Sequence, residues 1–319
     1  MGAYTPEYRL TNSRLEQLVD TSDEWIVKRT GIRERRIAQN ETTWQMALSA
    51  AEKALNDAKI SGEELDLIVV STVTPDSYTP TVACVLQDKL GAKYAMAYDM
   101  NAACSGFVYA TDVADSYIKA GKAKNVLVVS VERLSSIIDY TDRSTCVIFG
   151  DGAGAAVYTA SEEKCGILST YMRAEGALGH SLFAGALPAE QDPITGDRKV
   201  DEKRRFLKMA GSEVFRFTAN AVPDSIDNSL KRAGLNASDI DWFVLHQANL
   251  RILKMVAERY GLDKEKVYVN IDRFGNTSSA SIPICLAEMK EKGLLKSGQK
   301  ILISGFGGGL TYGAAVIEL

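Results

Sequence analysis

Residues that build metal centres are scarce in this chain of 319 residues, which has five cysteines and two histidines. The cysteines stand at positions 84, 104, 146, 165 and 285, and no two of them form a CxxC pair. Structural zinc sites need closely spaced pairs of cysteine or histidine ligands. We therefore expect no metal site.

The chain also lacks long apolar segments and a strong charge of either sign. Its start, MGAYTPEYRLTN, has no basic or apolar stretch typical of a signal peptide, and no apolar run is long enough to span a bilayer. We expect a cytoplasmic protein with reduced thiols and no membrane insertion. The formal net charge of -4 gives no reason to expect nucleic acid as a partner.

What the chain does contain is one pattern of apolar runs and helices that occurs twice. GEELDLIVVSTVTPD (62–76) is matched by ASDIDWFVLHQANLR (237–251), and KNVLVVSVE (124–132) is matched by KILISGFGG (300–308). Short β-branched runs between helices of ten or more residues indicate α/β units with strands buried on both faces. The sequence predicts two five-stranded α/β units packed in layers, residues 1–165 and 166–319.

Cys104 lies in NAACSGF, directly before a helical pattern formed by Phe107, Ala110 and Ala114. A free cysteine is most often a small buried side chain. In the first turn of a helix, however, unpaired N–H groups and the positive end of the helix dipole favour a thiolate. We therefore treat Cys104 as a candidate nucleophile.

His246 and Asn276 lie where strands of the second half pass into helices. A lone histidine is more often structural, and an Asn-Thr-Ser segment is more often a turn or a helix cap. In a duplicated architecture, however, residues at equivalent strand ends converge on one crevice. We expect Cys104, His246 and Asn276 to share one site.

Two glycine-rich stretches lead to different predictions. GFGGGLTYG (305–313) follows a strand and allows a ligand to approach the backbone closely, so one of its amides can bind an oxyanion together with the amide of Cys104. A bulged turn between core strands is the alternative. GDGAGA (150–155) matches a dinucleotide fingerprint, but a strand pattern follows it, so we expect a tight strand connection.

The segment TSDEWIVKRTG (21–31) is typical of a short helix, capped by Thr21 with Glu24 and ended by Gly31. Trp25 and Arg29 are four residues apart and share a face, where they can stack on a base and hold a phosphate. An ordinary surface helix is the alternative.

Several of these motifs together resemble the β-ketoacyl-acyl carrier protein synthase III family, the initiating condensing enzymes of bacterial type II fatty acid synthesis. The resemblance covers nearly the whole chain and rests on TSDEWIVKRTGIRERR, DMNAACSGF, TDRSTCVIFGDGAGAA, HQANLRI, FGNTSSASIP and GFGGGLTYG. It implies the thiolase fold, with its αβαβα layers. The family's first strand, usually found before the GAYTPE segment, is absent, so we expect either a shortened chain or the loss of the edge strand.

The resemblance implies a role for each candidate residue. Cys104 would take an acyl primer from acyl-CoA as a thioester, with the amides of Cys104 and Gly308 as the oxyanion hole. His246 and Asn276 would hydrogen-bond the malonyl thioester while it loses carbon dioxide. Acyl-CoA and malonyl-acyl carrier protein would be substrates, with no tightly bound cofactor.

The resemblance also implies binding surfaces and a homodimer. The CoA site would consist of Thr21, Trp25, Arg29, Arg143, Gly211, Phe215, Ala248 and Asn249, with Trp25 and Arg143 on either side of the adenine. The acyl carrier protein would dock on Gln247, Ala248, Asn249, Leu250, Arg251, Arg216 and Lys254. Thr79 would close the primer pocket of the dimer mate, and its small size favours branched or longer primers. Two departures are Ser279, where alanine is usual, and Tyr312, where tryptophan is usual.

Three alternatives remain open from the residues. The order Cys, His, Asn also occurs in papain-like thiol hydrolases, but their signature around the cysteine is absent and the duplicated pattern does not suit them. Another acyltransferase of the thiolase superfamily is possible. A non-catalytic acyl-binding relative is expected to have lost Cys104, His246 or Asn276, and all three are present.

Overall fold

The structure is a computed structural model that describes residues 1–163, 165–185, 189–191, 194–195, 198–200 and 206–319. For residues 189–191 and 198–200 only the backbone is described. No helix among these residues is long and apolar enough to cross a membrane.

The elements of the first half run in the order β1 (Gly2–Tyr4), β2 (Arg9–Thr11), α1 (Asn12–Leu15), α2 (Asp23–Thr30), β3 (Glu34–Arg36), α3 (Thr43–Ala58), β4 (Leu67–Ser71), α4 (Val82–Lys89), β5 (Met96–Met100), α5 (Gly106–Lys119), β6 (Asn125–Glu132) and β7 (Gly152–Thr159).

Those of the second half are β8 (Gly166–Ala174), β9 (Leu182–Phe183), β10 (Ala189–Gln191), β11 (Arg198–Val200), β12 (Lys208–Met209), α6 (Gly211–Ala233), β13 (Trp242–Leu245), α7 (Leu250–Arg259), α8 (Ile271–Phe274), α9 (Ser281–Glu291), β14 (Lys300–Gly307) and β15 (Thr311–Glu318).

The first sheet has the strand order β1-β7-β6-β4-β5. β4 is parallel to β5 and β6, and every residue of β4 is buried, as expected for a strand covered on both faces. β1 pairs antiparallel with β7, with Gly2 opposite Ala155. The alternative that the edge strand is lost is therefore wrong, because the GAY segment forms an edge strand. The GDGAGA stretch leads into β7, as predicted.

The second sheet has the order β13-β14-β15-β8, with β13 parallel to β14. The sequence predicts a fifth strand around Val267, but there the structure has a single parallel bridge between Phe243 and Val267. The ladder stops because the Gln247 side chain occupies the next position, donating to the carbonyl of Tyr268 at 3.2 Å. A side chain thus replaces a backbone partner.

The helices form three layers around the two sheets. α3, rich in alanine on its buried face, packs outside the first sheet. α5 and α9 lie between the sheets, where Phe107 and Leu286 pack with Val128 of the first sheet and Ile303 of the second. α6 and α7 cover the second sheet from outside. The αβαβα arrangement predicted from the sequence is confirmed.

Candidate active site

A cavity of about 560 Å³ is lined by residues from both halves of the chain. Cys104 comes from the first half, and His246 and Asn276 come from the second. Cys104, which lies at least 142 positions from the other two, therefore faces the same space as they do. Cys104 and His246 lie after the carboxyl ends of β5 and β13, whereas Asn276 follows α8.

Cys104 lies in a short 3-10 turn, Ala103–Ser105, that joins β5 to α5. The sequence predicts Cys104 in the first turn of the helix, whereas in the structure α5 begins two residues later, at Gly106. The turn is sharp: Ala103 has a φ of 45°, and its amide is held by the Asn101 side chain at 3.1 Å. Such a conformation is uncommon for a residue other than glycine. It directs Cys104 toward the cavity.

Gly307, at the end of β14, faces Cys104 across a very short gap. A Cβ atom at this position would lie 2.7 Å from the Cβ and N atoms of Cys104 and 3.0 Å from its Sγ. Only glycine fits here, and the backbone of the glycine-rich segment is thus brought against the sulfur. The next residue, Gly308, packs against Ala103 and Leu182, and its role in the oxyanion hole remains a prediction.

The environment of Cys104 does not favour a thiolate at rest. Burial raises the pKa of the Cys104 thiol to about 12, and the Glu132 carboxylate adds to the rise. A hydrogen bond from the Ser278 side chain acts in the opposite direction. The expected thiolate at the helix start is therefore not supported, because loss of water outweighs the local dipole.

His246 follows β13 and is held in one orientation. Its Nδ1 lies 2.7 Å from the Oγ of Ser281, and this Oγ accepts the amide of Gln247 at 3.3 Å. With the Ser281 hydroxyl donating to Nδ1, the ring proton lies on Nε2. Burial lowers the pKa of His246 to about 3, so the ring is neutral at physiological pH. The result is a fixed neutral N–H donor.

Asn276 is fixed through both its backbone and its side chain. Its amide donates to the carbonyl of Ile148, and its carbonyl accepts the amide of Gly150, both at 3.0 Å. Its Oδ1 accepts the amide of Ser278 at 2.8 Å. Because the oxygen is occupied, the Nδ2 amino group remains available as a second donor.

The outer part of the same cavity has a cluster of cations around an indole. Trp25 lies 5.6 Å from the guanidinium of Arg29 and 5.3 Å from that of Arg143, measured to the ring centroid. Arg143 also donates to the carbonyl of Asp20 at 2.7 Å. Gly211, Phe215, Ala248 and Asn249 complete the predicted CoA residues that line the cavity.

Two comparisons identify the family. Family models described as 3-oxoacyl-[acyl-carrier-protein (ACP)] synthase III match residues 98–176, and the C-terminal model of the same synthase matches 230–319. A β-ketoacyl-[acyl-carrier-protein] synthase III from Clostridium perfringens is 47% identical over 318 residues, covering 100% of this chain and 97% of that protein. The chain belongs to the β-ketoacyl-[acyl-carrier-protein] synthase III family.

Solved structures of synthase III proteins agree with this assignment. The crystal structure from Aquifex aeolicus is 47% identical, with a TM-score of 0.91 over 100% of this chain and 98% of that one. The structure from Thermus thermophilus is 43% identical, with a TM-score of 0.92 over 100% of this chain and 97% of that one. The predicted thiolase-type fold is thereby confirmed.

Within this synthase III fold, two details of α2 differ from prediction. The N-cap is Ser22, whose side chain accepts the amide of Trp25 at 3.2 Å, so the proposed cap by Thr21 and Glu24 is wrong. Thr21 does not line the cavity, and its Oγ1 is buried without a hydrogen-bond partner. Gly31 ends the helix with a φ of 82°, as predicted.

The predicted docking surface needs one correction. Gln247 is buried, and its side chain is fully engaged with the carbonyls of Leu245 and Tyr268 and the amide of Asn270. It cannot contact a partner protein, and the prediction is wrong for this residue. Arg216, Arg251 and Lys254 are exposed, whereas Ala248, Asn249 and Leu250 are half-buried beside them.

Thr79 is exposed and does not line the cavity of its own chain. Its predicted place in a primer pocket therefore requires a second copy of the protein.

Sequence reasoning missed several residues that shape the site. Ser281 orients His246, Ser278 contacts Cys104, and Gly307 approaches the sulfur. The apolar wall of the cavity includes Val147, Ile148, Phe149, Leu182, Met209 and Ile252. The hydroxyls in TSSAS were the available signal, since a serine-rich segment beside a candidate asparagine supplies hydrogen bonds to its neighbours.

Proposed function

We propose that the protein initiates type II fatty acid synthesis by condensing an acyl-CoA primer with malonyl-acyl carrier protein. The observation that carries this proposal is the single cavity that joins Cys104, His246 and Asn276 to the cations around Trp25. A nucleophile, two neutral donors and an anion-binding entrance are what the two half-reactions require.

In the first half-reaction, the sulfur of Cys104 attacks the thioester carbonyl of acyl-CoA. A C–S bond to Cys104 forms, the bond to the CoA sulfur breaks, and CoA leaves as the thiol. The negative charge on the tetrahedral oxygen is held by the amides of Cys104 and Gly308. The result is an acyl group stored on the enzyme as a thioester.

In the second half-reaction, malonyl-acyl carrier protein binds and loses carbon dioxide. The electron pair of the broken C–C bond moves into an enolate whose oxygen accepts hydrogen bonds from His246 Nε2 and Asn276 Nδ2. The carbanion attacks the acyl carbonyl and displaces Cys104. Neutral donors suit this task, because they stabilise developing charge without giving up a proton.

The entrance has to rearrange to take an adenine between Trp25 and Arg143. Stacked groups pack roughly 3.5 Å apart, so a ring between them needs about 7 Å from Trp25 to Arg143. The present separation is 5.3 Å. Arg143 therefore moves outward when CoA binds, giving up its contact with Asp20.

The assembly and its partners belong to the same proposal. Arg216, Arg251 and Lys254 form an exposed basic surface beside the cavity, which suits an acidic carrier protein. The enzyme acts as a cytoplasmic homodimer, in which Thr79 of each copy reaches the primer pocket of its partner. No tightly bound cofactor takes part.

A condensation assay tests the proposal. Purified protein, acyl-CoA and malonyl-acyl carrier protein are expected to give β-ketoacyl-acyl carrier protein by mass spectrometry, and Cys104→Ala is expected to give none. Product formation by the Cys104→Ala variant, or its absence with the native protein and every short primer, would refute it. Kinetics with acetyl-CoA and isobutyryl-CoA check the role of Thr79, and a strict acetyl preference would reject it.

A further inference from the structure

Glu132, the last residue of β6, is a fully buried carboxylate that the reaction described above does not use. Its Oε1 accepts the Ser279 hydroxyl at 2.8 Å and the Ser278 hydroxyl at 3.2 Å. Its Oε2 accepts the Thr74 hydroxyl at 2.9 Å and the amide of Val73 at 3.0 Å. The Thr72 hydroxyl also lies 3.4 Å from Oε2, so five donors surround the carboxylate and favour its charged form.

Ser278 connects this carboxylate to the nucleophile. Its hydroxyl lies between the Oε1 of Glu132 and the sulfur of Cys104, and it can hydrogen-bond to either. A hydroxyl has one proton and also accepts, so it can receive a proton from the thiol while giving its own to the carboxylate. Ser278 has a φ of 50°, and its backbone N–H donates a hydrogen bond to the Oδ1 of Asn276.

Within the part of the chain that the structure describes, the partners of Glu132 are hydroxyls and amides, and none is a cation. The segment after β4 contributes Val73 and the hydroxyls of Thr72 and Thr74, and the turn at 278–280 contributes Ser278 and Ser279. The charge of the adjacent Arg133 stabilises the Asp151 carboxylate, where it opposes the rise in pKa that burial causes. Cys104 is the titratable group that faces Glu132 through Ser278.

We propose that Glu132 receives the proton of the Cys104 thiol through the Ser278 hydroxyl, so that Glu132 activates the nucleophile during acyl transfer. Glu132 acts through another residue and is therefore a positioning and proton-holding group. This inference rests on the proposed function for its biological role, but the proton path itself is a property of the protein alone.

The proton balance of the step is closed. As the sulfur of Cys104 bonds to the acyl carbonyl, its proton moves to the Ser278 oxygen and the Ser278 proton moves to Oε1, which leaves Glu132 neutral. The departing CoA thiolate then takes the proton back through Ser278. Glu132 ends the half-reaction ionised, and no other reactant is needed.

The path gives Cys104 a fixed proton acceptor but does not make the thiol a stronger acid, so the proton leaves as the sulfur attacks and not before. Direct loss of its proton to water is unfavourable near neutral pH, because burial raises the pKa of the thiol to about 12. Burial also raises the pKa of Glu132, to about 7. The carboxylate is thus a proton acceptor whose strength matches physiological pH.

Alkylation of Cys104 by iodoacetamide tests the path without any need for CoA binding. For the native protein, the rate is expected to rise with pH through about 7 as Glu132 loses its proton. In Glu132→Gln this rise is lost, and the rate at pH 8 falls by roughly 100-fold, the usual contribution of a proton acceptor.

The direction of the change separates this role from a merely electrostatic one. If Glu132 only repelled the thiolate, its neutralisation would lower the pKa of Cys104 and speed alkylation. An unchanged or faster Glu132→Gln reaction overturns the proposal. Asp66→Asn is the matched control, because Asp66 holds the amides of Lys124 and Asn125 at the opposite end of the same sheet and is expected to leave the rate unchanged.

Two further variants keep the test decisive if Glu132→Gln does not fold. Ser278→Ala breaks the path and is expected to match the loss in Glu132→Gln. Ser279→Ala keeps the path but removes a donor to the carboxylate, which raises the pKa of Glu132 and moves the rise in rate to higher pH. Alkylation rates of both variants that match those of the native protein at every pH contradict the path.

The two proposals fail separately. A native protein whose alkylation rate rises through about pH 7 but that takes no acyl group from acyl-CoA refutes the proposed function alone.

Discussion

Serine hydroxyls in the segment after Asn276 determine what the site can do at the scale of single residues. Ser281 fixes the tautomer of His246, and Ser278 connects Cys104 to Glu132. The sequence identifies Cys104 and His246 because they follow β5 and β13, whose ends converge. The strand predicted before Asn276 is absent: this residue follows α8 and forms an isolated parallel bridge with Phe149. The sequence does not identify Glu132, since an acidic residue at the end of an apolar strand carries no sign of its partners 146 residues away.

The burial of Cys104 also lies beyond sequence reasoning. The start of a helix predicts a lowered thiol pKa, but the opposite strand brings Gly307 against the sulfur and excludes water. This contact joins residues 203 positions apart, so the local sequence around Cys104 cannot predict it. Desolvation then decides the direction of the pKa shift.

At this scale, we predict that His246→Ala separates the two half-reactions. Loss of one fixed donor to the enolate is expected to reduce malonyl decarboxylation by roughly 100- to 1000-fold. Transfer of the acyl group from acyl-CoA to Cys104 is expected to continue, because a pKa of about 3 makes His246 a weak proton acceptor. Separate assays of CoA release and carbon dioxide release check this, and equal losses in both would contradict the assigned role.

At the scale of elements, pattern predicts the layers better than the ends of strands. Strong apolar runs such as β4 and β14 are recognisable, as are the helices between them. The short strand β1 and the missing fifth strand of the second sheet are not, because a three-residue pairing and a side chain in a ladder position depend on tertiary contacts. The cap of α2 differs from prediction by one residue, because neighbouring Thr21 and Ser22 are both good cap residues and the chain uses the local Ser22–Trp25 contact.

Helix α2 and the loop containing Arg143 together form the entrance, so they are tested together. Trp25→Ala is expected to raise the KM for acyl-CoA by roughly 2- to 30-fold, the range of lost stacking and cation–π contacts, with little change in kcat. Tyr94→Ala is the control, since Tyr94 is an exposed ring with Lys93 above it and does not line the cavity. A fall in kcat with an unchanged KM would place Trp25 outside the CoA site.

At the scale of the whole molecule, duplication explains why the site lies between the two halves. The parallel strands of both sheets end near the cavity. The two helices between the sheets also begin there, α5 just after Cys104 and α9 just after the segment that follows Asn276. The sequence repeats predict this convergence. We retain the division at 165/166 as a proposal, with β8 as the first strand of the second half.

The net charge of the whole molecule hides the basic surface beside the cavity. We predict that Lys254→Glu raises the KM for malonyl-acyl carrier protein several-fold at low salt, because a like charge now faces the acidic partner. The difference is expected to shrink at high salt, where the charges are screened. Lys231→Glu, the same change at the far end of α6, is the control. An equal effect of both variants would argue against a local docking surface.

The most direct measurement of the central claim follows an acyl group through the protein. Radiolabelled acyl-CoA is mixed with the purified protein alone, and malonyl-acyl carrier protein is added afterwards. We predict that label first becomes bound to Cys104 and then moves quantitatively to the carrier protein, with none bound in Cys104→Ala. Label on another residue, or bound label that the second substrate does not release, would contradict the account.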